Sequence, residues 1–372
     1  MERPYASSNA MHAVLPEPDL FQLLSPEGVR VPSRDTPDTV SDEELSGLYR
    51  DMALTRRLDA EAIALQRQGE LGLWASCLGQ EAIQVGAGRA LAAHDMVFPT
   101  YREHGVAWCR DVDPVQLLAL FRGTTHGGLD PHTHNFTNYT IVIGAQTLHA
   151  AGYAMGVVRD GAVGTGDAAR DTAVLVFFGD GASSQGDVHE AFVWASAENL
   201  PVVFICQNNQ FAISAPTSVQ SRVPLFHRAQ GYGIPGLRVD GNDVLASTVA
   251  VRQALEAARS GQGPTLIEAF TYRMNPHTTN DDPRRYRLDS QVETWKLRDP
   301  LARVRAYLTR YAGVGTDFFG AIDAEADELG ARIREGARAL PDPTVETLFD
   351  HVTTTPSAER QRQRTEFEQA LA

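Results

Sequence analysis

The chain has 372 residues, of which 43% are apolar, and 47 acidic against 33 basic residues leave a net charge of -14. Such a chain can fill the core of one large α/β domain or of two ordinary ones, while its acidic balance argues against binding to nucleic acid or anionic lipid. No apolar stretch nears the roughly 20 residues of a membrane helix, and the first residues lack the apolar core of a secretory signal. We therefore expect a globular, cytoplasmic protein.

The cysteines and histidines offer little support for a metal site. Cys77, Cys109 and Cys206 are an odd number without paired spacing, so we expect free thiols rather than disulfides or a Cys-ligated zinc ion. An H-x-H pair does occur within a group of three histidines, His126, His132 and His134. No nearby Cys or acidic pattern completes four ligands, so a zinc site is disfavoured there.

Residues 1–40 are rich in Pro, Ser and Asp without a sustained period, which predicts a mobile or loosely docked N-terminal arm. Ser41 to Glu44 form a capping box, in which the Ser hydroxyl satisfies free backbone N–H groups of a starting helix. Apolar residues at helical spacing follow it toward Gly69, a plausible helix stop. The main domain is therefore predicted to begin near residue 41.

Three β-branched apolar runs follow, TAVLVFFG (172–179), PVVFICQ (201–207) and TLIEAFTY (265–272). Runs this apolar are typical of strands covered on both faces, and helix-like segments between them imply parallel crossovers. The predicted fold class is α/β, a doubly wound, mainly parallel sheet with helices on both faces.

The C-terminal third is predicted to be helical. Asp299-Pro300 can cap and open one helix, and residues 320–340 indicate another. The charged last stretch predicts a peripheral helix or tail over residues 351–372, so the main domain spans residues 41–350.

Polar side chains stand at the ends of two of the predicted strands. Gly179-Asp180-Gly181 ends the first, and Asn208-Asn209 ends the second after an interval of 26 residues, Ala182 to Gln207. One crossover helix and one strand fill that interval, so Asp180 and Asn209 are expected at the same edge of the sheet. A carboxylate, an amide carbonyl and a backbone carbonyl suit Mg²⁺, and the glycines and the helix N-terminus after Gly186 suit a diphosphate.

Ordinary turns are the alternative, since Gly-Asp-Gly alone is usually a turn. A Walker phosphate loop is excluded because no G-x-x-x-x-G-K-[ST] occurs, and no Rossmann glycine fingerprint follows a strand. A nicotinamide oxidoreductase and a non-catalytic scaffold remain as rival hypotheses. The scaffold hypothesis predicts damaged ligands, whereas Asp180, Asn209, Arg102 and His277 are all present.

The segment resembles the signature of thiamin diphosphate enzymes, and the chain is most similar to the α subunit of the decarboxylating component of 2-oxo acid dehydrogenase complexes. The resemblance covers about residues 45–350. It is carried by further stretches in the family's order: ASCLGQEAIQVGAG, FPTYREHG, YTIVIGAQTLHAAGYAMG, NNQFAISAPTSVQ, GYGIPGLRVDGND and TYRMNPHTTNDDPRRYR.

The resemblance implies a thiamin diphosphate-binding fold and specific ligands. Mg²⁺ would be held by Asp180, the side chain of Asn209 and the backbone carbonyl of Phe211. The cofactor-binding set would be Tyr101, Arg102, Ile141, Ile143, Gly179, Asp180, Gly181, Ala182, Asn209, Phe211 and His277. Within it, Tyr101 and Arg102 would bind diphosphate oxygens, Gly181 and Ala182 would present backbone N–H groups, and Ile143 would wedge the cofactor into a bent conformation.

His277 would be the catalytic residue, donating to the substrate oxygen over the reacting centre. The implied reaction is oxidative decarboxylation of a branched-chain 2-oxo acid, with transfer of the acyl group to a lipoyl group of the acyltransferase component. Pyruvate is the close alternative, and acetoin cleavage is a third. The resemblance further implies an α₂β₂ heterotetramer in which the β subunit supplies the activating Glu, so this chain alone is expected to be inactive.

Four positions bear on the match to this family. Gln207 stands where branched-chain members often carry Arg, and Ala145 stands where mammalian branched-chain members have a Thr at a potassium site. Pro276 precedes His277, which stiffens this loop relative to other members. Thr278 occupies the position of a regulatory phosphoserine in mitochondrial relatives.

Overall fold

The computed structural model describes residues 20–32, 40–125, 128–350 and 352–371. Its strands are β1 Met96–Phe98, β2 Val174–Gly179, β3 Val202–Asn208, β4 Phe211–Ala212, β5 Ala215–Pro216, β6 Gly236–Asp240 and β7 Thr265–Phe270. Its α-helices are α1 Asp42–Arg67, α2 Glu81–Ala90, α3 His104–Cys109, α4 Pro114–Arg122, α5 Pro131–His134, α6 Ala145–Arg159, α7 Gly186–Ala197, α8 Thr217–Gln220, α9 Val244–Arg259, α10 Asp289–Lys296, α11 Pro300–Tyr311, α12 Thr316–Ala339, α13 Val345–Phe349 and α14 Ala358–Leu371. Short 3₁₀ segments span Ala182–Ser184, Leu225–Tyr232 and Pro283–Arg285.

Five parallel strands form the central sheet in the order β1-β2-β3-β7-β6. Alternate residues of β2 and β3 face opposite sides. Leu175, Phe177, Val203 and Ile205 pack in the core that contains α1, α2 and α9. Val174, Val176, Val202 and Phe204 pack in the core that contains α6 and α7. Helices thus cover both faces, and the predicted doubly wound α/β fold is confirmed.

The three predicted strands correspond to β2, β3 and β7, with ends that differ by one or two residues. Ser41 caps α1 as predicted, because its hydroxyl accepts a hydrogen bond from the backbone N–H of Glu44 at 3.1 Å. Asp299 likewise caps α11 by accepting from the N–H of Ala302 at 2.8 Å. Strands β1 and β6 were not predicted, since β1 has only three residues and β6 begins with an exposed glycine.

Part of the predicted arm packs tightly on the domain. Phe21 pairs with Val239 at the β6 edge of the sheet, and Leu23 and Leu24 are buried. The backbone N–H groups of both leucines donate to the carboxylate of Asp243 at 2.7 and 2.6 Å. Residues 20–32 are therefore docked, while the rest of the predicted arm lies outside the described residues apart from Val40. The division into arm, domain and tail stays a prediction.

A buried ion pair holds this docked segment. Arg303 donates to Asp240 at 2.9 Å and to the carbonyl of Leu24 at 3.0 Å, and both charged side chains are at most 1% exposed. Burial by itself raises the pKa of Asp240, but the Arg303 guanidinium offsets it, and the pKa lies below its usual value.

Arg303→Met is expected to lower the free energy of unfolding by about 3–5 kcal/mol, because it leaves the Asp240 carboxylate buried and unpaired. Urea unfolding of the full chain measures this loss. Arg332→Met, which breaks an exposed ion pair with Asp113, serves as the control and should change stability far less. Equal effects of the two substitutions would contradict a stabilising role for the buried pair.

No helix among the residues that the structure describes has the length and apolar character needed to cross a membrane. Cys77, Cys109 and Cys206 are free cysteines, as expected.

Candidate functional site

A cavity opens where four neighbouring parallel strands end. Residues 100–103 follow β1, residues 179–182 form the end of β2 and the turn after it, Asn209 and Phe211 follow β3, and Arg273 and His277 follow β7. The carboxyl ends of parallel strands meet at one edge of the sheet, and in open α/β sheets ligands bind there. The complete lining is Gln80, Thr100, Tyr101, Arg102, Glu103, Thr140, Ile143, Gly144, Gln146, Gly179, Asp180, Gly181, Ala182, Gln207, Asn209, Phe211, Ala212, Ile213, Arg273 and His277.

Asp180 presents a buried carboxylate to this cavity. It is 2% exposed, and burial raises its pKa to about 6. Its Oδ2 accepts from the hydroxyl of Thr217 at 3.0 Å and from Nε2 of Gln220 at 3.5 Å. The hydrogen bond from Thr217 and the charge of Arg273 lower the pKa of Asp180 but do not offset the effect of burial. A bound cation would therefore stabilise the charged form of Asp180.

Asn209 and Phe211 reach the same cavity from the end of β3. The side chain of Asn209 is buried, and its Nδ2 donates to Oε1 of Gln80 at 3.1 Å. Its Oδ1 receives only a long contact, 3.4 Å, from the backbone N–H of Phe211. The carbonyl of Phe211 accepts from Nη1 of Arg273 at 2.8 Å, which leaves one of its two lone pairs for another partner.

Two buried arginines line the cavity. Arg102 is 4% exposed and Arg273 is 1% exposed, and neither forms an ion pair with a carboxylate within the described residues. Their guanidinium groups instead donate to backbone carbonyls: Arg102 to Ser76 and His277, and Arg273 to Phe211 and Ile213. Burial, followed by the charge of Arg102, lowers the pKa of Arg273. An anion bound in the cavity would offset the free-energy cost of burying these two guanidinium charges and of their repulsion of each other.

His277 lies between these arginines. Its Nδ1 is 3.3 Å from Nη2 of Arg102 and 3.4 Å from Nη1 of Arg273, and its Nε2 is 3.5 Å from the hydroxyl of Tyr101. Guanidinium groups only donate, so Nδ1 must accept and the proton of the neutral ring belongs on Nε2. Burial, then Arg102 and Arg273, lowers the pKa of His277 to about 3.

The loop that carries His277 is held by its own polar contacts. Asp281 accepts a hydrogen bond from the backbone N–H of His277 at 3.0 Å and another from the hydroxyl of Tyr286. Arg273 donates to the same hydroxyl at 3.3 Å. The imidazole is thus placed by a connected network, and Thr278 is half-buried beside it.

The turn after Asp180 approaches the β4–β5 hairpin closely. A Cβ on Gly181 would lie 2.6 Å from the Cβ of Ala212, so glycine is required at this position. Ser183 lies in the same turn, and its carbonyl accepts from Nη1 of Arg228 at 2.5 Å. Helix α7 begins at Gly186, as the predicted N-terminus after this turn requires.

The cavity brings together the predicted residues with one exception. Tyr101, Arg102, Ile143, Gly179, Asp180, Gly181, Ala182, Asn209, Phe211 and His277 all line it. Ile141 does not, and its side chain is 58% exposed. The roles of all these residues stay predictions.

His132 and His134, two of the three histidines considered for zinc, do not line the cavity. His134 Nδ1 contacts the carbonyl of Arg110 at 3.0 Å, His132 is exposed, and His126 lies outside the described residues. Over the described ranges, no group of three or more His, Cys, Asp or Glu is arranged to hold a metal ion.

Sequence reasoning missed Arg273, Gln80, Thr217 and Gln220. A signal existed for Arg273, since a basic residue shortly after an apolar strand occupies the ligand-binding edge of the sheet. Gln80 lies in the stretch ASCLGQEAIQVGAG, but its position before α2 gave no indication of a role, because it reaches the cavity only through tertiary packing.

Comparison with known proteins agrees with this geometry. The family model described as "Dehydrogenase E1 component" matches residues 49–337. The 3-methyl-2-oxobutanoate dehydrogenase subunit alpha of Mycobacterium tuberculosis is 43% identical over 352 residues, 94% of either chain. The pyruvate dehydrogenase E1 component subunit alpha of Staphylococcus epidermidis is 39% identical over 335 residues, 89% of this chain and 88% of that one. The Staphylococcus aureus subunit of the same name is 38% identical over 292 residues, 78% of this chain and 76% of its own.

The expected relationship to 2-oxo acid dehydrogenases is therefore confirmed, together with the enzyme class and the general implication of thiamin diphosphate. With a cavity at the strand ends that pairs a buried carboxylate with two buried guanidinium groups, and with these matches over most of its length, the chain belongs to the dehydrogenase E1 component family.

Proposed function

We propose that this chain is the α subunit of a branched-chain 2-oxo acid dehydrogenase, and that its cavity binds thiamin diphosphate together with Mg²⁺. One observation carries the proposal: a buried carboxylate with a raised pKa shares a cavity with two buried arginines that lack carboxylate partners. A metal cation bound to a diphosphate supplies both missing charges at once.

The residues present fit such a group. Asp180, Oδ1 of Asn209 and the carbonyl of Phe211 are the hard oxygen ligands that Mg²⁺ prefers, with water and phosphate oxygens completing its shell. Arg102 and Tyr101 would bind diphosphate oxygens, and Gly179, Gly181 and Ala182 would let the backbone approach them. Ile143 would contact the apolar body of the cofactor, and backbone groups at Ile141 and Ile143 would meet its aminopyrimidine ring.

The cofactor, when bound, supplies the carbon nucleophile and the electron sink for decarboxylation. The chain's own contribution is placement and proton chemistry. His277 is neutral, with its proton on Nε2, so it would donate a hydrogen bond to the developing negative charge on the substrate oxygen. The arginines at Nδ1 keep that tautomer in place, and the loop network around Asp281 fixes the ring.

A β subunit would complete the site. Ile141, Val142 and Ile213 lie at or beside the cavity and are 58%, 71% and 55% exposed, which leaves apolar side chains for a partner to cover. In the proposed α₂β₂ assembly the β subunit supplies the Glu that activates the cofactor. The acyl group would then pass to the lipoyl group of an acyltransferase component, in the cytoplasm.

Substrate choice can be tested with the reconstituted enzyme. The 43% identity to a protein named 3-methyl-2-oxobutanoate dehydrogenase favours branched-chain acids, and the 39% and 38% identities to pyruvate dehydrogenase subunits keep pyruvate as the alternative. The chain co-purified with its β partner should turn over 3-methyl-2-oxobutanoate with a higher kcat/KM than pyruvate or acetoin. The chain alone should be inactive.

A clear preference for pyruvate or acetoin would reverse the choice of substrate while leaving the cofactor proposal intact. Absence of thiamin diphosphate binding with or without Mg²⁺ would overturn the cofactor proposal itself. NADH binding by the cofactor-free protein, followed by fluorescence, would revive the oxidoreductase alternative.

A further inference from the structure

Gln80 is a fully buried glutamine that lines the cavity. Its Oε1 accepts from Nδ2 of Asn209 at 3.1 Å, and its Nε2 has no hydrogen-bond partner within the described residues. A buried amide donor without a partner is costly, so an oxygen atom is expected to bind there. Nothing in the family resemblance assigned this residue a role.

The backbone before α2 is shaped to bring Gln80 to this place. Gly79 has φ +92°, and a Cβ there would lie 2.5 Å from the carbonyl oxygen of Tyr272. The carbonyl of Gly79 also accepts from the hydroxyl of Thr271 at 2.6 Å, and the N–H of Gln80 donates to the carbonyl of Cys77 at 2.8 Å. The turn is therefore clamped against the end of β7, and Gln80 reaches the end of β3 from a fixed position.

The contact with Asn209 decides which end of that amide is free. A carboxamide binds a cation only through its oxygen, because its nitrogen carries two donor hydrogens. Since Nδ2 is engaged by the acceptor of Gln80, Oδ1 is left with only the long contact to Phe211. Without Gln80, the Asn209 amide could rotate and turn its nitrogen toward the metal position.

We propose that Gln80 is a positioning residue for the metal and diphosphate. Its Oε1 fixes the Asn209 amide with the oxygen facing the metal ion, and its Nε2 donates to an oxygen of the bound group. The inference rests on the proposed function, because it requires a metal–diphosphate in this cavity. Partners that orient metal ligands typically contribute about 10- to 100-fold to metal affinity.

The test compares three variants in the cofactor-free assembly of this chain with its β partner. Gln80→Met keeps the length of the side chain and removes both polar atoms. Gln80→Glu keeps an acceptor for Nδ2 of Asn209 but lacks the donor. Asn242→Leu is the matched control, because Asn242 is also fully buried, makes one side-chain hydrogen bond through Nδ2, has an unpartnered Oδ1 and does not line the cavity.

Isothermal titration calorimetry gives the Kd of thiamin diphosphate over a series of Mg²⁺ concentrations, and thermal melting verifies folding. Gln80→Met should raise, by about 10- to 100-fold, the Mg²⁺ concentration at which Mg²⁺ has half of its maximal effect on the Kd of thiamin diphosphate. Gln80→Glu should return this Mg²⁺ concentration most of the way to the wild-type value. It should still bind thiamin diphosphate more weakly than wild type, because it lacks the donor. Asn242→Leu should change stability alone.

Unaltered Mg²⁺ dependence in Gln80→Met would overturn the inference, as would an equal shift in Asn242→Leu. If Gln80→Met does not fold, Gln80→Glu decides the question, since binding of the diphosphate at wild-type affinity would exclude a donor role. These outcomes would overturn only the role of Gln80 and would not contradict the proposed function, because the wild type would still bind thiamin diphosphate with Mg²⁺. Loss of binding in wild type would overturn both.

Discussion

Asp180→Ala is expected to abolish Mg²⁺-dependent binding of thiamin diphosphate, a larger effect than the roughly 10- to 100-fold loss that follows removal of a partner that only orients a metal ligand. Asp180 contributes the one charged ligand of the proposed metal set, and a hard cation depends on carboxylate oxygen for most of its affinity. The fold should persist, because the substitution removes a buried carboxylate whose pKa burial has raised to about 6. Titration calorimetry with and without Mg²⁺ measures the binding, and thermal melting checks the fold.

Asp187→Ala is the control for this experiment. Asp187 lies in the first turn of α7, seven residues further along, and is exposed. It carries the same charge near the same helix N-terminus but does not line the cavity. Wild-type Mg²⁺ dependence in Asp180→Ala, or an equal loss in Asp187→Ala, would refute the proposed metal site.

His277→Ala is expected to lower kcat by about 10²- to 10³-fold, since it removes a donor aimed at charge that develops on the substrate oxygen. His277→Gln should recover part of this loss, because its amide retains an N–H donor. Steady-state kinetics of the assembled enzyme at saturating cofactor measure both variants. Cofactor affinity should fall much less than kcat in either one.

The lowered pKa of His277 makes a second readout possible. A folded pKa of about 3 against roughly 6.5 in the unfolded chain means that acid protonates the unfolded state first. Above about pH 6.5 the ring is neutral in both states, so it does not reduce the free energy of unfolding. As the pH falls from about 6.5 toward 3, only the unfolded state takes up the proton, and the free energy of unfolding falls. Between pH 7.5 and pH 5, the cofactor-free wild type should lose about 1–2 kcal/mol more than His277→Gln. Equal losses, or a kcat of His277→Ala near that of wild type, would argue against a buried, neutral donor.

Many of the helix ends, three strands and part of the candidate site could be predicted from local sequence patterns. The helix caps at Ser41 and Asp299, the glycine after α1 and the apolar runs of β2, β3 and β7 are short-range signals, because helix ends and buried strands depend on neighbouring residues. The positions of Asp180 and Asn209 followed from the same logic, since one crossover between parallel strands returns the chain to the same edge. The family resemblance added the adjacent Tyr101 and Arg102 and the distant His277, since these two segments show no common pattern in a single sequence.

The sequence by itself determined the fold class, the strand ends that carry ligands and the family. Only the tertiary structure decided that Arg273 and Arg102 are both buried without carboxylate partners, that they hold His277 in one tautomer, and that Gln80 meets Asn209. It also decided that residues 20–32 dock at the β6 edge of the sheet. The physical reason is the range of the forces involved. Caps and strands form from contacts within a few residues, whereas the contact of Arg102 with His277 and that of Gln80 with Asn209 join residues 175 and 129 positions apart in the chain.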